Sequence, residues 1–177
     1  WIGPKIDAYT KKTFLGYHRE NGSVGTENNW LVIPLVFCQN RNIETLKNII
    51  LKGLGYENSS KQSYDLKELI HKYKTGATES ELMQVDVITN NNKKQKNTIF
   101  PNIDGIHFLT HEGGCGGSTS DALTLCHLLA GYINNPNVAG ATVLSLGCQH
   151  AQMSILNGAL KRIAPNSNKP VFFLEQQ

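Results

Sequence analysis

At 177 residues the chain is long enough for one domain with a sizeable core. Hydrophobic residues make up 40% and charged residues 18%, the net charge is only +3, and the lysines are dispersed apart from Lys93, Lys94 and Lys96, which argues against nucleic acid as the main partner. No apolar run approaches the length of a membrane-spanning helix, and WIGPKIDAY carries no signal-peptide pattern, so no membrane partner is expected and a cytoplasmic location is.

A polar extension, residues 1–29, opens the chain. Gly16, Gly22 and Gly25 punctuate GYHRENGSVGTEN, which reads as turns or a hairpin. An α/β domain is expected over 30–177. Its first strand is WLVIPLVF, Trp30–Phe37, a continuous apolar run suited to burial on both faces, although Pro34 cannot donate in a central ladder. Ile43, Leu46, Ile49, Ile50 and Leu54 recur at helical spacing over 42–54. A second helix is predicted over 64–73 and a short one over 79–84. A strand follows at 85–89 and a low-complexity loop at 90–97.

DGIHFLT, Asp104–Thr110, reads as the next strand. Four glycines follow in THEGGCGGSTS, and then a helix over 118–133, with Ser118 as its cap and Asp121 three residues on. ATVLSL, 141–146, is a buried strand, 151–163 a helix and 169–174 a last strand. Strand and helix alternate. The expected fold is therefore a three-layer α/β architecture, a mostly parallel sheet with helices on both faces, Rossmann-like or flavodoxin-like. The Trp at the start and KPVFFLEQQ at the end read as an excised piece of a longer protein.

In such a sheet, ligands bind outside the carboxyl ends of the strands. Cys38, Cys115 and Cys148 each directly follow a predicted strand, and His111, Glu112, Gln149 and His150 lie on the same loops. Thiolate, imidazole and carboxylate together suit iron, zinc or another transition metal. Gly114 and Gly116 let backbone amides approach a substrate closely, and Ser118 with the amides before its helix suits a substrate carboxylate. Each cysteine also has a bland reading as a small buried hydrophobe, and Cys126, between Leu125 and His127 on a helix, is taken as packing. His107, His127 and His71 read as structural or surface residues. His18 and Arg19 suit a polar turn or a substrate clamp equally. A nucleotide loop is disfavoured: starting from Gly114 and Gly116, the third position of GxGxxG is Thr119, and no GxxxxGK[ST] occurs.

The pieces FLGYHRENGSVGTEN, IPLVFC, DGIHFLTHEGGCGG and LAGYINNPNVAGATVLSLGCQ, in this order, resemble the altronate/galactarate dehydratase family of sugar-acid hydro-lyases. The match covers most of the chain outside residues 57–96. Two positions depart from the family's pattern. GTRN appears as GTEN, so Glu27 offers no cation to a substrate carboxylate, and Gln149 stands where an acidic residue usually follows the late GC.

The resemblance implies dehydration of a hexonate or hexarate, of altronate or galactarate type, to a 2-keto-3-deoxy acid. Iron(II) or manganese(II) is the implied cofactor, and the core of a larger enzyme the implied setting. Other domains of the same polypeptide are then expected, and a homo-oligomer is compatible. On this reading His111, Cys115, Cys148 and Cys38 are the metal candidates. Glu112, His111 and His150 are candidates for base and acid, and Arg19 and Asn28 orient the polyol alongside Gly114, Gly116 and Ser118. Two alternatives stay open: an iron–sulfur hydro-lyase built on the strand-end cysteines, and a non-catalytic domain that binds a small anion or regulates.

Overall fold

The computed structural model describes residues 13–56, 63–64, 66–89 and 98–176. The polar extension forms a hairpin of β1 (Tyr17–His18) and β2 (Val24–Gly25), paired antiparallel. β3 (Asn29–Pro34) follows, then a 3-10 turn (Phe37–Gln39) and α1 (Asn40–Gly53). β4 (Ser63–Tyr64), α2 (Lys67–Lys74), α3 (Glu79–Met83) and β5 (Ile88–Thr89) come next. Then come β6 (Gly105–Phe108), α4 (Thr119–Asn134), β7 (Val138–Ser145), α5 (Met153–Ile163) and β8 (Val171–Glu175).

The main sheet has the order β6-β3-β7-β8, and every pairing in it is parallel. The chain builds to one side of β3 with β6 and then to the other with β7 and β8. That is the flavodoxin-like order, with its switch point between β3 and β7. The α/β fold expected from the sequence is therefore present. The strand expected at 85–89 shrinks to β5, which pairs antiparallel with β4 outside the main sheet. The loop expected at 90–97 lies outside the described residues. Among the described residues no helix is long and apolar enough to cross a membrane.

Alternate residues of β3 and β7 explain the two-sided sheet. Leu31, Ile33 and Leu35 point with Ala141 and Val143 to one face, where Ala122, Cys126, Leu129, Ala130 and Ile133 of α4 and Leu156 and Ala159 of α5 close the core. Full burial of a side chain such as Ile33 or Leu156 contributes about 1.5–3 kcal/mol. On the other face α1 packs against β3 and β6, with Ile43 buried. There Trp30 stacks on Phe172, ring centroids 6.0 Å apart, while its Nε1 donates to Thr142 Oγ1.

Pro34 sits in a central strand without breaking the sheet. Leu109 N–H donates to Val32 O, so even-numbered residues of β3 face β6, and the β3–β6 pairing ends at Val32 and Phe108. Pro34 is the next residue on that side, after β6 has ended, and its missing N–H removes no ladder bond. The predicted strand to Phe37 is accordingly cut at Pro34, and the turn lets α1 start at Asn40 instead of Asn42.

Candidate active site

Three loops meet at the carboxyl edge of the sheet, and backbone hydrogen bonds tie them together. Phe37 N–H, after β3, donates to Gly113 O (2.9 Å), and Gly114 O accepts from His150 N–H (2.9 Å) and Ala151 N–H (3.2 Å), after β7. Asn40 Nδ2 adds a bond to His111 O (2.8 Å). Gly114 is the keystone: it is buried, has φ of +98°, and a Cβ there would overlap the Leu35 carbonyl oxygen and lie 2.8 Å from Val36 Cα. Only glycine fits that close approach. Cys38, Cys115 and Cys148 are carried on these three loops, and all three are exposed. Cys126 is fully buried in the core, where desolvation pushes its thiol up to about 11.

His111 is committed to the framework. Its Nδ1 accepts from Gly113 N–H (3.1 Å), so its Nε2 carries the proton and donates to Pro34 O (2.7 Å). Both ring nitrogens are used, and the imidazole is a neutral clip between the end of β3 and the loop after β6. Neither role expected of it, ligand or acid–base group, has a free nitrogen in this arrangement. Glu112 and His150 flank Gly114 on their loops, and both are exposed.

The helix end expected to hold a substrate carboxylate is filled from within. Asp121 Oδ2 accepts from Ser118 N–H (2.7 Å) and Ser118 Oγ (2.8 Å), and Asp121 N–H donates back to Ser118 Oγ. The Ser118 amide is the main reason that the Asp121 carboxyl is held below its ordinary range, with the Ser118 hydroxyl second. Ser118 is thus a cap whose own N–H and hydroxyl already serve an anion. Gly116 is exposed beside it.

Arg19 and Asn28 lie at the other edge. Arg19 Nε donates to Pro136 O (2.8 Å), just before β7, and its Nη2 donates to Asn28 Oδ1 (2.8 Å), just before β3. β7 is eight residues long, so about 25 Å of strand separates this edge from the thiol loops. Within one chain the structure does not bring Arg19 and Asn28 together with Cys38, Cys115, Cys148, Glu112 and His150.

Sequence reasoning missed a buried polar network beside the switch point. Gln149 is 1% exposed; its Nε2 donates to Ser145 Oγ (2.6 Å), and its Oε1 accepts from Leu146 N–H (3.1 Å). Ser145 Oγ in turn donates to Glu175 Oε2 (3.1 Å), at the end of β8. A cleft of about 400 Å3 opens over it, lined by Gln39, Asn42, Ser145, Leu174, Glu175 and neighbouring residues. The lone serine inside the apolar run ATVLSL was the available signal.

Sequence relationships identify the family to which this edge belongs. Residues 16–177 match the family described as "D-galactarate dehydratase/Altronate hydrolase, second domain". The chain belongs to this family. It is 25% identical over 166 residues to an altronate dehydratase of Bacillus subtilis (strain 168), covering 94% of the chain and 24% of that protein. It is 23% identical over 149 residues to an altronate dehydratase of Escherichia coli (strain K12), covering 84% of the chain and 21% of that protein. The chain thus spans about a quarter of the length of these relatives. No solved structure matches it.

The donor set does not make a self-contained metal site. Among the described residues no three His, Cys, Asp or Glu side chains come close enough together to hold an ion, and the His111 nitrogens are taken.

Proposed function

We propose that this chain is the second domain of a hydro-lyase that removes water from a hexonate or hexarate, of altronate or galactarate type, to give a 2-keto-3-deoxy acid. The match to the dehydratase family over residues 16–177 carries this reading. The carboxyl edge, with its cleft and its three sutured loops, is where this fold class binds ligands.

The elimination needs a base at C2 and an acid at the C3 hydroxyl. Glu112 and His150 take these two roles: both are exposed, and the Gly114 suture holds their loops together. The base removes the C2 proton, the acid protonates the departing hydroxyl, and the resulting enol tautomerises to the keto acid. Each such assist contributes about 10²–10⁴-fold. Iron(II) or manganese(II) as the complete enzyme's cofactor rests on the family resemblance, and Cys115, Cys148 and Cys38 are the side chains at this edge that could contribute ligands to it. The exposed thiols suit a reducing cytoplasm.

The deciding experiment is to purify the complete protein anaerobically, measure bound metal and acid-labile sulfide, and assay altronate and galactarate. Dehydration of either acid with no sulfide, reduced at least 100-fold by Glu112→Gln or by His150→Gln, supports the proposal. The rival reading is an iron–sulfur hydro-lyase, which would need Cys38, Cys115 and Cys148 to close around a cluster from the separate positions they hold here. Iron with matching sulfide selects it. Inactivity toward both acids with metal supplied overturns both and leaves a binding domain.

A further inference from the structure

At the amino edge of the sheet, Arg19 and Lys169 border a second pocket, of about 190 Å3, together with His18, Ser167 and Asn168. Both cations are anchored by one stretch of backbone. Lys169 Nζ donates to Ile133 O (3.1 Å) and Asn135 O (2.6 Å), at the end of α4, and Arg19 Nε donates to Pro136 O. Arg19 Nη2 is used by Asn28 Oδ1 and Glu27 O, whereas Nη1 makes no hydrogen bond among the described residues. One Lys169 proton is also left over, because an ammonium has three donors.

Both cations answer the carbonyl end of α4, where positive charge is favoured. The two stand close enough to repel, and among the described residues neither forms an ion pair, although Glu20 lines the same pocket. Burial, and secondarily Arg19, lowers the Lys169 ammonium to about 8. Arg19 and Lys169 both line this pocket, and Nη1 of the one and one ammonium proton of the other have no partner among the described residues.

We propose that this pocket binds a small oxyanion, a carboxylate or phosphate group, bridging Arg19 and Lys169. The site stands apart from the thiol edge and is independent of the dehydration chemistry assigned there. A bound anion favours charged Lys169, so binding at pH 8.5 takes up a proton.

The test is calorimetry on the complete protein at pH 8.5, titrating inorganic phosphate in one arm and acetate in the other. Each arm uses two buffers of different ionisation enthalpy and a chloride control at equal ionic strength. We expect saturable binding with proton uptake; a phosphate response identifies a phosphate ligand and an acetate response a carboxylate. Lys169→Arg keeps the charge and should bind with no proton uptake at that step. Lys169→Met should weaken binding at least tenfold with dehydratase activity unchanged. Heats no larger than the chloride control in both arms overturn the proposal. Arg19 and Lys169 are then caps of α4 only. Wild-type proton uptake in a folded Lys169→Arg protein also overturns it, because the titrating group would then not be Lys169.

Discussion

His111 Nε2 lies 2.7 Å from the carbonyl oxygen of Pro34, a residue 77 positions earlier in the chain. The pair explains both residues. Pro34 is tolerated in a central strand because its position faces the point where β6 has ended, and its carbonyl, left without a ladder partner there, is taken by the imidazole. His111→Ala should therefore lower unfolding stability by about 1–3 kcal/mol, the cost of leaving partly buried groups unpaired. Urea denaturation measures this. A variant that keeps wild-type stability but loses bound metal would return His111 to the ligand set.

The three exposed cysteines should behave unlike the fourth. Native protein is expected to react rapidly with a thiol reagent at Cys38, Cys115 and Cys148, and at Cys126 only once unfolded. The reason is that Cys126 is fully buried and its thiol is pushed up to about 11, whereas the thiolate is the reactive form. Peptide mapping after timed labelling reads this directly. Rapid native labelling of Cys126 would contradict the core placement of α4.

Gly114→Ala tests the suture of the three loops. The new methyl group meets the Leu35 carbonyl, and the backbone there has φ of +98°. Strain and overpacking together are expected to cost about 2–4 kcal/mol, with loss of activity in the complete enzyme. Gly116→Ala is the comparison: it shares a positive φ but meets nothing within 4 Å, so it bears the backbone strain alone and should be milder. Equal destabilisation by the two would mean that Gly114 is no keystone.

The alternation of strand and helix was legible because period-2 and period-3.6 patterns are local, and each helix needs only its own apolar stripe. The placement of Cys38, Cys115 and Cys148 at one edge followed from strand ends and parallel topology alone. What was not legible depends on distant partners. The lone Ser145 in an apolar run hints at a buried polar partner but does not name Gln149 or say that Gln149 is 1% exposed, and nothing near His111 names Pro34. Arg19 and Asn28 were grouped with the thiols because they belong to a family-like motif. A motif does not say at which edge of the sheet a segment docks, and the bond to Pro136 O fixes them at the far one.

The filled end of α4 gives a pH signature with a definite sign. Asp121 accepts from the Ser118 amide and hydroxyl, and these bonds hold its carboxyl below the ordinary value of 3.8. The folded state then binds fewer protons than the unfolded state between the lowered folded value and 3.8. Stability from this group is fully present above the unfolded value and is lost as pH falls through the folded one. The difference in stability between wild type and Asp121→Asn should thus be constant from pH 7 to about pH 5. It should shrink below about pH 4, where protonation makes the two side chains alike. Ser118→Ala should keep much of this dependence, because the backbone N–H, the larger cause, survives the substitution. Urea midpoints at a series of pH values down to 2.5 decide it. A difference that grows on acidification would show that the carboxylate is not the capping form and would reopen the end of α4 as a place for a substrate anion.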